Sequence, residues 1–254
     1  VIINSLGGSD AITVTNLDEF QHVVDYQAGD PAGGTSDTLT LDSGVFGATT
    51  HNLTGANAGN FDIDGDAAAD LTYNEVGGGI DTTGSTATSL VFNLPTSTDT
   101  TTLSDLGGGN LRLASGGTFQ STDFAVPMGL TSITINGNDG GDTINVDAIT
   151  STELPSLTID GQGGNDIVNF VGDVTFSANS NLTVTDTRQI NVDATLTLSG
   201  TGAVSLTADR LIEFEADVSG SSGITTENGN ISLTATGTGG GNGNGIEFQD
   251  GTVT

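Results

Sequence analysis

Apolar and polar residues alternate in short runs along most of the chain. In "ITINGNDGGDTINV" (Ile133–Val146), Ile133 and Ile135 alternate with Thr134 and Asn136, and Ile144 and Val146 alternate with Thr143 and Asn145. "LTIDGQGGNDIVNF" (Leu157–Phe170) follows the same rule. A period of two marks a half-buried strand. The runs are separated by Gly, Asn, Asp and Ser, the residues of tight turns. Many short strands with turns between them are therefore expected. Helical periodicity is confined to "TNLDEFQHVVDYQ" (Thr15–Gln27), where Leu17, Phe20, Val23 and Val24 suit a short amphipathic helix and "HVVDY" suits a strand equally.

The two quoted segments are one pattern written twice, 24 residues apart. Gly137 maps to Gly161, Gly140 to Gly164, Asp142 to Asp166 and Asn145 to Asn169. "VIINSLGGSDAITV" (Val1–Val14) is a third copy, with Ile3, Gly8, Asp10, Ile12 and Val14 in the matching places. Farther on, Ile190–Leu198, Ile212–Gly220 and Ile246–Thr254 share an opening of the form I-x-[VF], and "AVSLTA" (Ala203–Ala208) matches "NISLTA" (Asn230–Ala235). The glycine-rich Gly237–Gly245 accounts for the longest interval as a loop.

A fixed period of this size predicts stacked structural units. Each coil would carry about three short strands. Coils stacked at ~4.8 Å would make a parallel β-helix in which like residues lie over like. Ile135 over Ile159, then Ile190, Ile212 and Ile246, should face inward, with Val192, Phe214 and Phe248 as a neighbouring inward column.

The fold class expected is all-β, with a parallel β-helix or solenoid in the C-terminal half. Residues 1–14 read as a solenoid-like strand and turn, 15–129 as a β-rich insertion or β-sandwich-like region, and 130–254 as β-helix coils. The copies at Asp10 and Asp142 are not a whole number of coils apart, which sets the middle region aside. Within it, "FDIDGDAAADLTY" (Phe61–Tyr73) reads as a hairpin.

Charge narrows the partners. Among 254 residues, 32 are acidic and three are basic, Arg112, Arg188 and Arg210; the net charge is −29. Nucleic acid and anionic membrane surfaces both need clustered Lys or Arg, so neither is an expected partner. Without lysine there is no Lys–Asn isopeptide bond, and without cysteine no disulfide. No run of 18 apolar residues exists to span a bilayer. The chain starts at Val1 without a signal-peptide pattern, which suggests a processed chain or a segment of a longer one.

The glycine–aspartate segments resemble the nonapeptide G-G-x-G-x-D-x-U-x of RTX (haemolysin-type) calcium-binding proteins. Gly137, Gly140, Asp142 and Ile144 fit, as do Gly161, Gly164, Asp166 and Val168, with Asn138 and Gln162 in place of the second glycine. The resemblance implies Ca²⁺ held by turn carbonyls and by Asp10, Asp139, Asp142 and Asp166. The alternative is a tight turn with a solvated aspartate. The Thr-rich strands also resemble the repetitive surface proteins and adhesins of aquatic bacteria, which implies a secreted or surface-anchored structural chain.

"DIDGDAAAD" resembles the calcium loop of integrin-type propeller repeats through Asp62, Asp64, Asp66 and Asp70, with Ala67 where that family has glycine. Carboxylates at alternate loop positions can converge on one hard cation. The plainer reading is a hairpin turn. It is not an EF-hand, because Tyr73 stands where the twelfth, acidic ligand belongs. Gly237–Gly245 lacks the Lys of a phosphate loop. Asn52, Asn181 and Asn230 sit in glycosylation sequons that a Thr-rich chain produces by chance.

Nothing points to catalysis. His22 and His51 lie in no nucleophile–base motif and read as surface or turn residues. The function expected is an extracellular or cell-surface structural protein of bacterial type: a Ca²⁺-rigidified β-solenoid shaft of an adhesin, sheath or filament. It would associate head-to-tail with itself or with neighbouring repeats and would not be an enzyme. The alternative is a carbohydrate-binding or glycoside-hydrolase β-helix module, with a surface polysaccharide as partner.

Overall fold

The computed structural model describes residues 2–4, 9–17, 24–28, 37–126, 129–215, 222–237, 245–249 and 252–253. Among these, every regular element is a strand. Of Thr15–Gln27, residues 18–23 lie outside the described residues, and Val24–Gln27 is a strand. Gly8, His22, residues 216–220 and most of the Gly237–Gly245 run also lie outside them.

The strands pair into a large, mostly parallel sheet and two smaller ladders. From residue 132 onward the order of pairing is cyclic. Ser132–Asn136 pairs with Ser156–Asp160, which pairs with Leu182–Thr185, then Val204–Ala208, then Ile231–Ala235. Thr143–Val146 pairs with Ile167–Phe170, then Gln189–Val192, then Leu211–Phe214, then Gly245–Phe248. A third ladder joins Ile149–Leu154, Val174–Phe176, Thr195–Leu198, Gly223–Thr226 and Thr252–Val253. The chain visits the first, second and third ladder in turn, then returns one layer on. All these pairs are parallel, because each return runs in the same direction.

The middle of the chain feeds the same ladders differently. Ala48–Gly55, Ala58–Asp62 and Leu71–Asn74 form an antiparallel meander inside the first ladder. Its outer strands pair in parallel with Ser89–Asn93 on one side and Val24–Gln27 on the other. Thr100–Gly107, Asn110–Ser115 and Thr122–Ala125 form a matching meander inside the second ladder, flanked by Thr143–Val146 and Ile80–Thr86. These extra strands explain why Asp10 and Asp142 are not separated by a whole number of coils. Phe61 faces Leu71 and Gly59 faces Tyr73, so the segment around "DIDGDAAAD" is a hairpin.

The alternation read from the sequence sets the core. Ile133, Leu157, Leu182 and Val204 stack in one buried column, and Ile135, Ile159, Val184 and Leu206 in the next. Ile144, Val168, Ile190 and Ile212 form a third column beside Val146, Phe170, Val192 and Phe214. Full burial of each such side chain contributes ~1.5–3 kcal/mol. Ile246 and Phe248 keep the expected register over Ile212 and Phe214, and the Phe rings stack with centroids 4.7 Å apart. Their burial differs from expectation: Ile246 is 40% and Phe248 49% exposed. Among the described residues no strand pairs with their far side, so one ring face meets solvent.

His51 is a further correction. It is no surface or turn residue but 2% exposed, on a strand whose odd-numbered positions Thr49, His51 and Leu53 all turn inward. Its imidazole stacks on Phe61, and Nε2 lies 2.8 Å from the Tyr73 hydroxyl. Burial lowers its pKa to about 3.

Candidate cation sites

Parallel strands leave a backbone problem at each corner, where pairing stops but N–H groups still need acceptors. Aspartate solves it here. The N–H of Asp99 donates to Oδ1 of Asp142 at 2.8 Å, and the N–H of Asp142 donates to Oδ1 of Asp166 at 2.8 Å. The next strand in each case is anchored by its first N–H: Thr143 on the Asp99 carbonyl and Ile167 on the Asp142 carbonyl. One carboxylate oxygen per layer thus ties the layer before it.

The other oxygen is left over. Asp142 and Asp166 are 1% and 0% exposed, yet Oδ2 of each has no hydrogen-bond partner. A buried carboxylate oxygen without a donor is costly. Burial, with Asp166 and Asp99 adding negative charge nearby, raises the Asp142 pKa to about 6 despite the opposing hydrogen bond from Asp99. Burial also raises Asp166 and Asp99.

The glycine turns close around these oxygens. A Cβ on Gly137 would sit 2.6 Å from the Gly161 carbonyl oxygen and 3.0 Å from Asp142 Oδ2. Gly164, at φ +141°, would drive a methyl into the Gly140 carbonyl of the preceding layer. Asp139–Gly140 and Gly163–Gly164 pair as a two-residue ladder, so successive turns stack in register. Asn138 and Gln162 hold φ of 62° and 60°. The left-handed conformation that glycine would supply is therefore kept by residues that pay a steric cost for it. Carbonyl oxygens and an unpartnered carboxylate oxygen around a tight turn are the donor set of a hard cation.

The structure sorts the sequence candidates. Asp142 and Asp166 belong to this stack. Asp139 is exposed on the glycine turn that precedes Asp142. Asp10 repeats the arrangement elsewhere: its N–H donates to Oδ1 of Asp37 at 2.6 Å, and its carbonyl accepts the N–H of Thr38. Asp37 and Asp99 were missed in the sequence. Asp37 is fully buried with Oδ2 unpartnered, and Asp99 is 1% exposed. A signal existed. Asp10, Asp37, Asp99, Asp142 and Asp166 each directly precede a strand with an apolar residue four positions on: Val14, Leu41, Leu103, Val146 and Phe170.

The hairpin loop is the second candidate. Asp62, Asp64 and Asp70 bring one oxygen each within 4.8 Å of one another, so they can hold a metal ion. Asp66 is not brought in; its Oδ1 accepts the N–H of Ala68. Both Asp62 oxygens already accept backbone N–H groups, from Gly65 and Ala67, and Asp70 accepts from Ile63. Burial raises the Asp70 pKa, and Asp64, Asp62 and Asp66 add to the rise. Ala67 adopts φ 70°, so the loop keeps a glycine-like conformation without glycine.

No helix of the described residues is long and apolar enough to cross a membrane. Comparison with protein-family models, curated proteins and solved structures finds no match.

Proposed function

We propose that the chain is the shaft of an extracellular or cell-surface assembly, a β-solenoid of bacterial adhesin, sheath or filament type, rigidified by Ca²⁺ and not an enzyme. The cyclic order in which the chain visits three ladders supports winding as a parallel β-helix. The observation that carries the cation reading is the pair of buried, unpartnered oxygens on Asp142 and Asp166. A divalent cation would satisfy them, cancel the repulsion between layers and lock adjacent turns. Two carboxylates ~5 Å apart repel by about 1 kcal/mol in a water-like medium and by several at lower dielectric. The hairpin loop with Asp62, Asp64 and Asp70 is a second place for an ion.

Head-to-tail association with another copy or a neighbouring repeat follows from the same stacking logic. Among the described residues, Phe248 and Ile246 are half exposed on the last paired layer of the second ladder, and Ile2 is 69% exposed on the strand that pairs with Val24–Gln27. An open strand edge beside apolar side chains invites a further layer.

The test of the cation reading is thermal melting in EDTA, with Ca²⁺ added back and NaCl of equal ionic strength as the control. Rescue by Ca²⁺ alone supports a bound ion. Equal rescue by NaCl reduces the effect to screening of the −29 charge.

A further inference from the structure

A row of four asparagines crosses the first ladder. Asn60, Asn52, Asn93 and Asn136 lie opposite one another on adjacent strands. Asn136 Nδ2 donates to Asn93 Oδ1 at 2.7 Å, Asn93 Nδ2 to Asn52 Oδ1 at 2.6 Å, and Asn52 Nδ2 to Asn60 Oδ1 at 2.8 Å. A carboxamide has two N–H donors and two acceptor sites. The row uses one donor and one acceptor of each inner member. What remains is a line of donors and acceptors at ~4.8 Å intervals, held in fixed orientation before any ligand arrives.

This row borders a groove of about 440 Å³, within the size range of small-molecule sites. Asn52, Asn60, Asn93 and Asn138 line it. The Asn138 amide is pinned by donating to the Leu94 carbonyl. Leu94 and Pro95 also line it, both of them buried. In a chain with 32 acidic residues, no carboxylate and no cation line this groove. A metal ion or a basic ligand would find no counter-charge there, and an anion no positive group. Neutral hydroxyl groups match the carboxamides that are present.

We propose that the groove binds a neutral carbohydrate segment, whose hydroxyls bridge successive carboxamides. Rigid donors lower the ordering cost of binding. The inference is independent of the cation reading, because no aspartate of either candidate cation site lines the groove. The molecule also carries its own control. Asn145, Asn169 and Asn191 form a second row, in the second ladder, with the same amide-to-amide bonds. None of its members lines this groove.

The experiment is a titration of the whole chain with linear neutral oligosaccharides of glucose, galactose and mannose, with oligogalacturonate as the charged comparison. Side-chain amide resonances are followed by NMR. Saturable shifts of Asn52, Asn60 and Asn93 with at least one neutral sugar, and none with oligogalacturonate, are expected. Asn93→Ala should weaken binding at least tenfold. Asn60→Ala should weaken it as well and leaves the Asn52–Asn93–Asn136 bonds in place, which guards against a folding defect. Asn169→Ala should bind as the unaltered chain does. Absence of saturable shifts with every neutral sugar overturns the proposal. So does equal binding of oligogalacturonate, or an Asn169→Ala loss as large as that of Asn93→Ala.

Discussion

Asp142 and Asp166 are joined by a single hydrogen bond across two layers, from the N–H of one to Oδ1 of the other at 2.8 Å. Each carboxylate therefore serves two purposes with separate oxygens. Oδ1 closes the backbone of the preceding layer, and Oδ2 is buried inside a glycine turn without a donor. Removing the charge and removing the hydrogen bond are separable experiments. Asp166→Asn keeps an acceptor for the Asp142 N–H and removes the charge; Asp166→Ala removes both. We expect Asp166→Asn to abolish most of the Ca²⁺-induced rise in melting temperature, with little loss of stability in EDTA. Asp166→Ala should lose ~1–3 kcal/mol even in EDTA, because a buried N–H is left unpaired. A full Ca²⁺ response in Asp166→Asn would place the ion elsewhere.

The pH dependence of the metal-free protein has a definite sign. Asp142 has an ordinary pKa of 3.8 and a folded value of about 6. Between those values the folded state binds more protons. The stability from this group is complete below 3.8 and is lost as pH rises through about 6. Asp142→Asn should therefore gain on the unaltered chain across that window, by up to ~1.4 kcal/mol per pH unit. Denaturant titrations in EDTA at several pH values measure this. A constant difference across the window would show that the carboxyl is not held up in the fold.

His51 acts in the opposite direction. Its folded pKa is about 3 against an ordinary 6.5. Its stability contribution is complete above 6.5 and is lost as pH falls toward 3. In His51→Phe that acid-side loss should disappear, which denaturant titrations between about pH 3 and pH 7 would show.

The same imidazole supports a double-mutant cycle. His51→Phe alone should cost ~1–3 kcal/mol by stranding the Tyr73 hydroxyl, which otherwise bonds Nε2 at 2.8 Å. Adding Tyr73→Phe should recover part of that cost. Strictly additive losses would mean that the hydrogen bond contributes nothing.

Ala67 offers a gain. At φ 70° it pays for a left-handed conformation that glycine adopts freely. Ala67→Gly should stabilise the hairpin by ~1 kcal/mol, read as a shift in denaturant midpoint without a change of slope. Gly164→Ala should do the reverse and far more strongly, since its methyl collides with the Gly140 carbonyl of the layer before it.

Phe214 and Phe248 occupy the same column but differ in exposure, 0% against 49%. Phe214→Ala should cost ~3–5 kcal/mol, and Phe248→Ala clearly less, because its outer face is already wet. If Phe248→Ala costs as much in solution, that face is covered there, and the cost should then depend on protein concentration.

Local alternation already carried the strand content, the inward Ile135–Ile159 and Ile190–Ile212 stacks and the pairing of the 24-residue repeats, but not the exposure of Ile246 and Phe248. Alternation and glycine-rich turns act over a few residues. Ile135 over Ile159 and Ile190 over Ile212 were legible for that reason, and so was the hairpin around "DIDGDAAAD". Tertiary structure alone decided what the aspartates do. Whether an Asp on a turn faces solvent or is sealed beneath the next layer depends on where that layer lies, which no local pattern encodes. It also decided how the middle strands join the ladders, since two antiparallel meanders interrupt the period on which the repeat was recognised. His51 was buried by the strand opposite it, and the asparagine row lines a groove only because Asn60, Asn52 and Asn93 are brought together from three strands. Periodicity propagates along a chain, but burial and concavity arise only when distant layers meet.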